Sequence, residues 1–89
     1  MKNWSVYALW SESFNRLYIG MSSDVNARIK NHNAGKQKST KAFIPYKLIY
    51  TEKCSSRAHA REREKYWKSG EGREKLREIV CSLRNEESI

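Results

Sequence analysis

Two phenols, Tyr7 and Tyr18, one guanidinium, Arg28, one imidazole, His32, and one carboxylate, Glu64, are the side chains of this chain best suited to acid–base and electrostatic chemistry. A phenol or imidazole can take a proton from an oxygen nucleophile. A guanidinium offers paired donors to a phosphoryl group. A carboxylate can carry a hard divalent cation at a leaving oxygen. Hydrolysis of a phosphodiester needs those three services together. None of the five residues is diagnostic alone. A strand tyrosine commonly packs, and an arginine on a helix is commonly solvated or clamps phosphate. A histidine bordering an apolar face is commonly a core hydrogen-bonding group. Glu64 also has the spacing of a helix acid paired with Lys68 at i+4.

The elements that must hold these residues can be read from patterning. Trp4 to Trp10 is rich in aromatic and branched residues, a strand signal. It puts Trp4, Val6, Ala8 and Trp10 on one face and Ser5, Tyr7 and Leu9 on the other. Ser11 to Asn15 is a polar turn, and Arg16 to Met21 returns as a second strand. Such a hairpin brings Tyr7 and Tyr18 close, because both lie at similar distances from its centre. Ser22-Ser23-Asp24 starts a helix, with a hydroxyl cap and an acid in the first turn. The helix runs to about Asn33 and stops at Gly35. Val25, Ile29 and His32 form its apolar face, with Arg28 at the border.

Residues 35–45 form a basic connection ended by Pro45, and Tyr46 to Thr51 reads as a third strand. Ser55 or Ser56 caps a helix through Ala60, Glu64 and Trp67 to Ser69-Gly70. A last helix, about Arg73 to Leu83, shows Leu76, Ile79, Val80 and Leu83 at helical spacing. The expected fold is α+β: a three-stranded, mostly antiparallel sheet flanked by helices, in the order β-β-α-β-α-α. Residues 1–84 read as a single domain and 85–89 as a frayed tail. Trp4 and Trp10 are expected in the core.

With 89 residues, one small core is all the chain can build. The 18 Lys+Arg against 10 Asp+Glu give a net charge of +8, which points to a polyanionic partner such as nucleic acid. The excess is concentrated in residues 21–50, where six basic side chains face one acid, Asp24. No apolar run is long enough to span a membrane. Cys54 and Cys81 lack metal-ligand spacing and read as free thiols of a reducing, cytoplasmic setting.

The stretch from Val6 to about Leu76 resembles a GIY-YIG nuclease domain. Val6-Tyr7 stands where the first motif ends, Tyr18-Ile19-Gly20 is the second motif, and Asp24 to Asn33 is similar to the helix bearing the family arginine. Gly35, Ser39-Thr40-Lys41, Pro45 and Leu48-Ile49-Tyr50 follow at similar spacing. Ala60 to Gly70 resembles the block with the metal-binding glutamate. The first motif's glycine is Ser5 here. Glu62 and Glu64 both fall in the acidic block, and the family spacing, a small residue four before and a lysine four after, favours Glu64 between Ala60 and Lys68.

The resemblance implies a one-metal phosphodiesterase. Glu64 would hold one Mg²⁺ or Mn²⁺, Arg28 would neutralise phosphoryl charge, and Tyr7 would be the favoured general base. Tyr18 would orient water or phosphate, and His32 is a second base or phosphate contact. Gly20 would let the backbone approach the phosphate, and Lys36, Lys38 and Lys41 would bind nucleic-acid backbone. The implied function is a DNA endonuclease of repair, recombination or mobile-DNA processing, acting on double-stranded or branched DNA as a monomer or weak dimer. Its specificity would come from loops 11–15 and 35–45 or from a targeting protein. A non-catalytic binding module of the same fold and a ribonuclease are the alternatives.

Overall fold

The computed structural model describes residues 3–36 and 41–87, the last three of these by backbone alone. Its elements are β1 (Trp4–Ser11), β2 (Arg16–Ser22), α1 (Val25–Asn33), β3 (Lys47–Cys54), α2 (Arg57–Lys68) and α3 (Gly70–Glu87). The sheet order is β2-β1-β3, and both pairings are antiparallel. This is the α+β architecture expected from the patterning.

β1 is the central strand, which explains its nearly continuous run of buried residues from Val6 to Ser11. Its alternating side chains serve two separate layers. Val6 and Ala8 pack with Ile19, Cys54, Ala60, Trp67 and Leu76 under α2 and α3. Tyr7 and Leu9 pack on the other face with Tyr46, and Tyr18, Val25, Ile29, Phe43 and Ile44 close around them. Each fully buried aliphatic side chain contributes roughly 1.5–3 kcal/mol of transfer free energy. Trp10 is also buried, and Trp4 is partly so.

The hairpin turn uses Asn15 with a positive φ of 51°, a conformation that asparagine tolerates better than most residues. Its side chain accepts a hydrogen bond from Trp10 Nε1 at 3.3 Å. The register is Tyr7↔Gly20 and Leu9↔Tyr18. The two tyrosines are therefore diagonal neighbours on one face rather than direct partners, with ring centroids 6.3 Å apart.

Helix starts differ from the sequence reading in two places. Asp24 is itself the cap of α1: its carboxylate accepts from Ala27 N, and Ser22 Oγ accepts from Asp24 N. The acid thus occupies the donors of the helix end instead of sitting in the first turn. The last helix begins at Gly70, not Arg73, and runs to Glu87, into the stretch read as a tail. Ser69 both ends α2 and, through Oγ accepting from Gly72 N at 3.3 Å, starts α3. Gly72 is buried, and a Cβ there would lie 2.5 Å from Trp67 Cα. Only a glycine lets the start of α3 cross so close to the end of α2. The Ser69-Gly70 stop and the buried Gly72 thus make a tight two-helix corner.

In the layer under α2, Glu52 of β3 accepts from Arg63 Nε and Nη2 and from Tyr50 Oη. Arg63 also lies over the Tyr66 ring, 4.8 Å from its centroid. This bidentate pair ties α2 to the sheet. The hydrogen bonds from Arg63 hold the Glu52 carboxyl below the usual range.

Candidate active site

The site is built on the face of the sheet that carries α1. The Tyr7 side chain lies flat across β2 at Gly20: a Cβ at Gly20 would be 2.7 Å from Tyr7 Oη and 2.8 Å from its Cζ. Because β2 is the edge strand, the phenol reaches the rim of the sheet over a residue with no side chain. The glycine of the Tyr-Ile-Gly block thus makes room for the tyrosine of its partner strand.

α1 then brings two groups onto that phenol. His32 is wholly buried, and its Nε2 is 3.4 Å from Tyr7 Oη. Its ring centroid is 4.6 Å from that of Tyr18 and 6.0 Å from that of Tyr46. Arg28, one helical turn earlier, hydrogen-bonds the hydroxyl of Tyr7 and, less strongly, that of Tyr18, which reinforces its charge. Arg28 Nε is buried and has no hydrogen-bond partner among the described residues.

The electrostatics follow from burial. Desolvation pushes the Tyr7 phenol above its ordinary pKa, and the hydrogen bond from Arg28 pulls in the opposite direction. Burial, with Arg28 beside it, lowers the His32 imidazole below its ordinary value, so it is neutral at pH 7. Glu64 comes from α2, in the layer on the other face of the sheet. Its side chain is only 17% exposed, its Oε1 lies 3.8 Å from Lys68 Nζ, and its charge is felt at the Tyr7 phenol. Glu62, its neighbour, is exposed on the outer surface of α2.

This constellation can be set beside known proteins. The model of the GIY-YIG catalytic domain matches residues 3–77. The chain belongs to the GIY-YIG family. It is 44% identical over 66 residues to a UPF0213 protein of Staphylococcus haemolyticus, covering 73% of this chain and 80% of that one. A UPF0213 protein of Streptococcus agalactiae is 39% identical over 61 residues, covering 67% and 69%. The solution NMR structure of a UPF0213 protein from Bacillus halodurans superposes with a TM-score of 0.52 at 32% identity, covering 86% of this chain and 84% of the other. The GIY-YIG fold is a nuclease fold, and nucleic acid is the substrate class it implies. No helix among the described residues is long and apolar enough to cross a membrane.

The GIY-YIG chain therefore gathers Tyr7, Tyr18, Arg28 and His32 in one cluster, with Glu64 at electrostatic range and Gly20 beneath the Tyr7 ring. Lys36 and Lys41 are exposed beyond the end of α1, where the Lys41 side chain runs past Gly35. Lys38 lies outside the described residues. Sequence reasoning passes over Tyr46 as a site residue. It is buried against Tyr18 and His32, and burial raises its phenol's pKa. Asn33 holds it there: Asn33 Nδ2 donates to Tyr46 O at 3.1 Å, and Asn33 Oδ1 accepts from Tyr46 N at 2.6 Å. The only local hint is an asparagine at the last helical position, so this clamp has no sequence signal of its own.

The donor set suits a hard cation. No group of three or more His, Cys, Asp or Glu that could hold a metal ion occurs among the described residues. One carboxylate is a donor set that Mg²⁺ accepts, because that ion keeps several waters and can take the rest of its ligands from a bound phosphate.

The buried imidazole also sets a stability window. In the unfolded chain His32 takes up a proton near pH 6.5, whereas in the fold its lowered pKa delays that uptake. The unfolded state then binds more protons, so stability must fall as pH drops from about 6.5 toward the folded value. Urea unfolding at pH 7.5 and 5.5 is expected to show this loss in the wild type and a smaller one in His32→Gln. Parallel losses in both proteins would refute the assignment.

Proposed function

We propose that this GIY-YIG protein is a divalent-metal-dependent endonuclease that hydrolyses phosphodiester bonds in DNA, in repair, recombination or mobile-DNA processing. The observation that carries the reading is the buried Arg28 Nε, unpartnered among the described residues, beside the Tyr7 hydroxyl. A buried donor without an acceptor is costly, and a phosphoryl oxygen is the acceptor that satisfies it. The neighbouring phenol and imidazole are groups that mere binding does not require.

In this reading Arg28 takes the scissile phosphoryl group and neutralises the charge that builds on its oxygens. Tyr7 faces the attacking water. Its own proton is lost to solvent, and the phenolate, held by Arg28 and His32 Nε2, takes the proton of the water as that oxygen attacks phosphorus and the bond to the leaving 3′ oxygen breaks. Tyr18 orients the water or the phosphate, and Tyr46 and Asn33 keep the pocket wall in place. Glu64 would hold one Mg²⁺ or Mn²⁺, which when bound supplies Lewis-acid stabilisation of the leaving 3′ oxygen.

Purified protein incubated with supercoiled plasmid tests the reading. Nicking is expected with Mg²⁺ or Mn²⁺ and not with a chelator. Equal cutting with chelator would overturn the metal requirement. Tight DNA binding with no cutting under either ion would leave a binding module only. Lys36 and Lys41 pair with backbone phosphates in this scheme. Replacing both with Ala is expected to flatten the dependence of log affinity on log salt by about two units, one for each phosphate no longer neutralised. A salt slope equal to wild type would take them off the binding surface.

A further inference from the structure

The tip of the hairpin carries an apolar surface that the core does not account for. Phe14 is 53% exposed. Its one aromatic neighbour among the described residues is Phe43, edge to face at 5.4 Å between centroids. The Arg16 guanidinium sits over the Phe43 ring, 4.3 Å from its centroid. Phe43 in turn packs against the Tyr7–Leu9–Tyr46 cluster, and the charge of Arg16 is felt at the Tyr46 phenol. The exposed ring is thus joined to the candidate active site through one residue.

We infer that Phe14, Phe43 and Arg16 form a platform on which an unpaired DNA base stacks, so that the substrate is a duplex interrupted by single-stranded nucleotides. The inference rests on the endonuclease reading above and names its substrate class. Three features select this occupant. A base offers a flat π-face to an open phenylalanine ring, and such stacking tolerates any sequence. The surroundings are cationic: Arg16 and the exposed Lys36 and Lys41 lie in this part of the chain, with Glu12 on the adjoining turn as the nearby acid in sequence. Phe43 also packs on the Tyr7–Leu9–Tyr46 cluster, as Tyr18 does, so a base on Phe14 lies on the side of the sheet where Arg28 takes the phosphate. A fully paired duplex keeps its bases stacked on one another and has none to offer.

Fluorescence anisotropy with a chelator present separates binding from cutting. The probes are a blunt duplex, the same duplex with one unpaired arm, and an RNA copy of the armed probe. Wild type is expected to bind the armed duplex about tenfold tighter than the blunt one, the scale of one base–aromatic stack. Phe14→Ala is expected to bind both alike, and Phe14→Trp to keep the preference. Equal loss on both duplexes, or none, would overturn the platform. Tighter binding of the RNA copy would overturn DNA as its partner. A Phe14-dependent dimer in sedimentation of the free protein would make the surface a self-association face instead. Failure to cut the armed duplex with Mg²⁺ or Mn²⁺, with the Phe14-dependent preference intact, would refute the catalytic reading alone.

Discussion

Glu64→Gln is expected to lower single-turnover cleavage by about a thousandfold or more, with DNA affinity in chelator unchanged. A carboxylate that holds a catalytic cation contributes several kcal/mol of transition-state stabilisation, and each 1.36 kcal/mol is tenfold in rate. The amide keeps the shape and loses the charge. The fold should not notice. Among the described residues the ion pair of Glu64 is with Lys68 at 3.8 Å, and a pair of that kind contributes only a few tenths of a kcal/mol. Thermal unfolding of the variant should therefore match wild type, which makes the lost activity chemical. Glu62→Gln is the control, since that side chain is exposed on the outer surface of α2. If Glu62→Gln loses more activity than Glu64→Gln, the metal site has been put on the wrong acid.

Tyr7→Phe is expected to cost a factor of about 10² to 10⁴ in rate, the range of a general base removed, and to change the shape of the pH profile. Burial raises the Tyr7 pKa, so at neutral pH nearly all of it is phenol. The active phenolate fraction then grows tenfold per pH unit below that pKa. The wild-type log rate should climb with a slope near one from pH 7 toward 9, and the variant should be nearly flat. The ring itself remains, so the close packing over Gly20 is kept. Removing the hydroxyl deletes its hydrogen bonds with His32 and Arg28, at roughly 1 kcal/mol each. A steep rise from pH 7 to 9 retained in Tyr7→Phe would take the base role from this phenol.

The strands and the amphipathic helix faces are legible because each follows one local rule. Alternation along Trp4–Trp10 predicts which side chains share a layer, and the two clusters under and over β1 divide in that way. The apolar spacing of Val25, Ile29 and His32 predicts that the imidazole faces inward, and it is buried. Local rules fail where geometry between elements decides the outcome. Ser69-Gly70 reads as a helix stop, since glycine disfavours helix, but α3 begins at Gly70 itself, and its crossing with α2 requires the missing side chain of Gly72. The Asn33–Tyr46 clamp spans 13 residues, and the Arg63–Glu52 pair spans 11; no periodicity marks either. The candidate site itself is named by resemblance. Composition and spacing reach a small basic α+β domain, whereas the buried Arg28 Nε and the cover of Tyr7 over Gly20 exist only in three dimensions.

Glu64 belongs to a different layer from the rest of the cluster, and that has a bearing on how the protein is made. A chain emerging from the ribosome presents the hairpin and α1 first, with both tyrosines, the arginine and the histidine. The acid arrives later, and its charge reaches the phenol only once α2 has docked on the far face of the sheet. Under the proposed function, a chain lacking α2 would hold nucleic acid without cutting it. Cleavage would then be tied to completed folding, and a chain arrested or clipped before α2 would be harmless to the genome it touched.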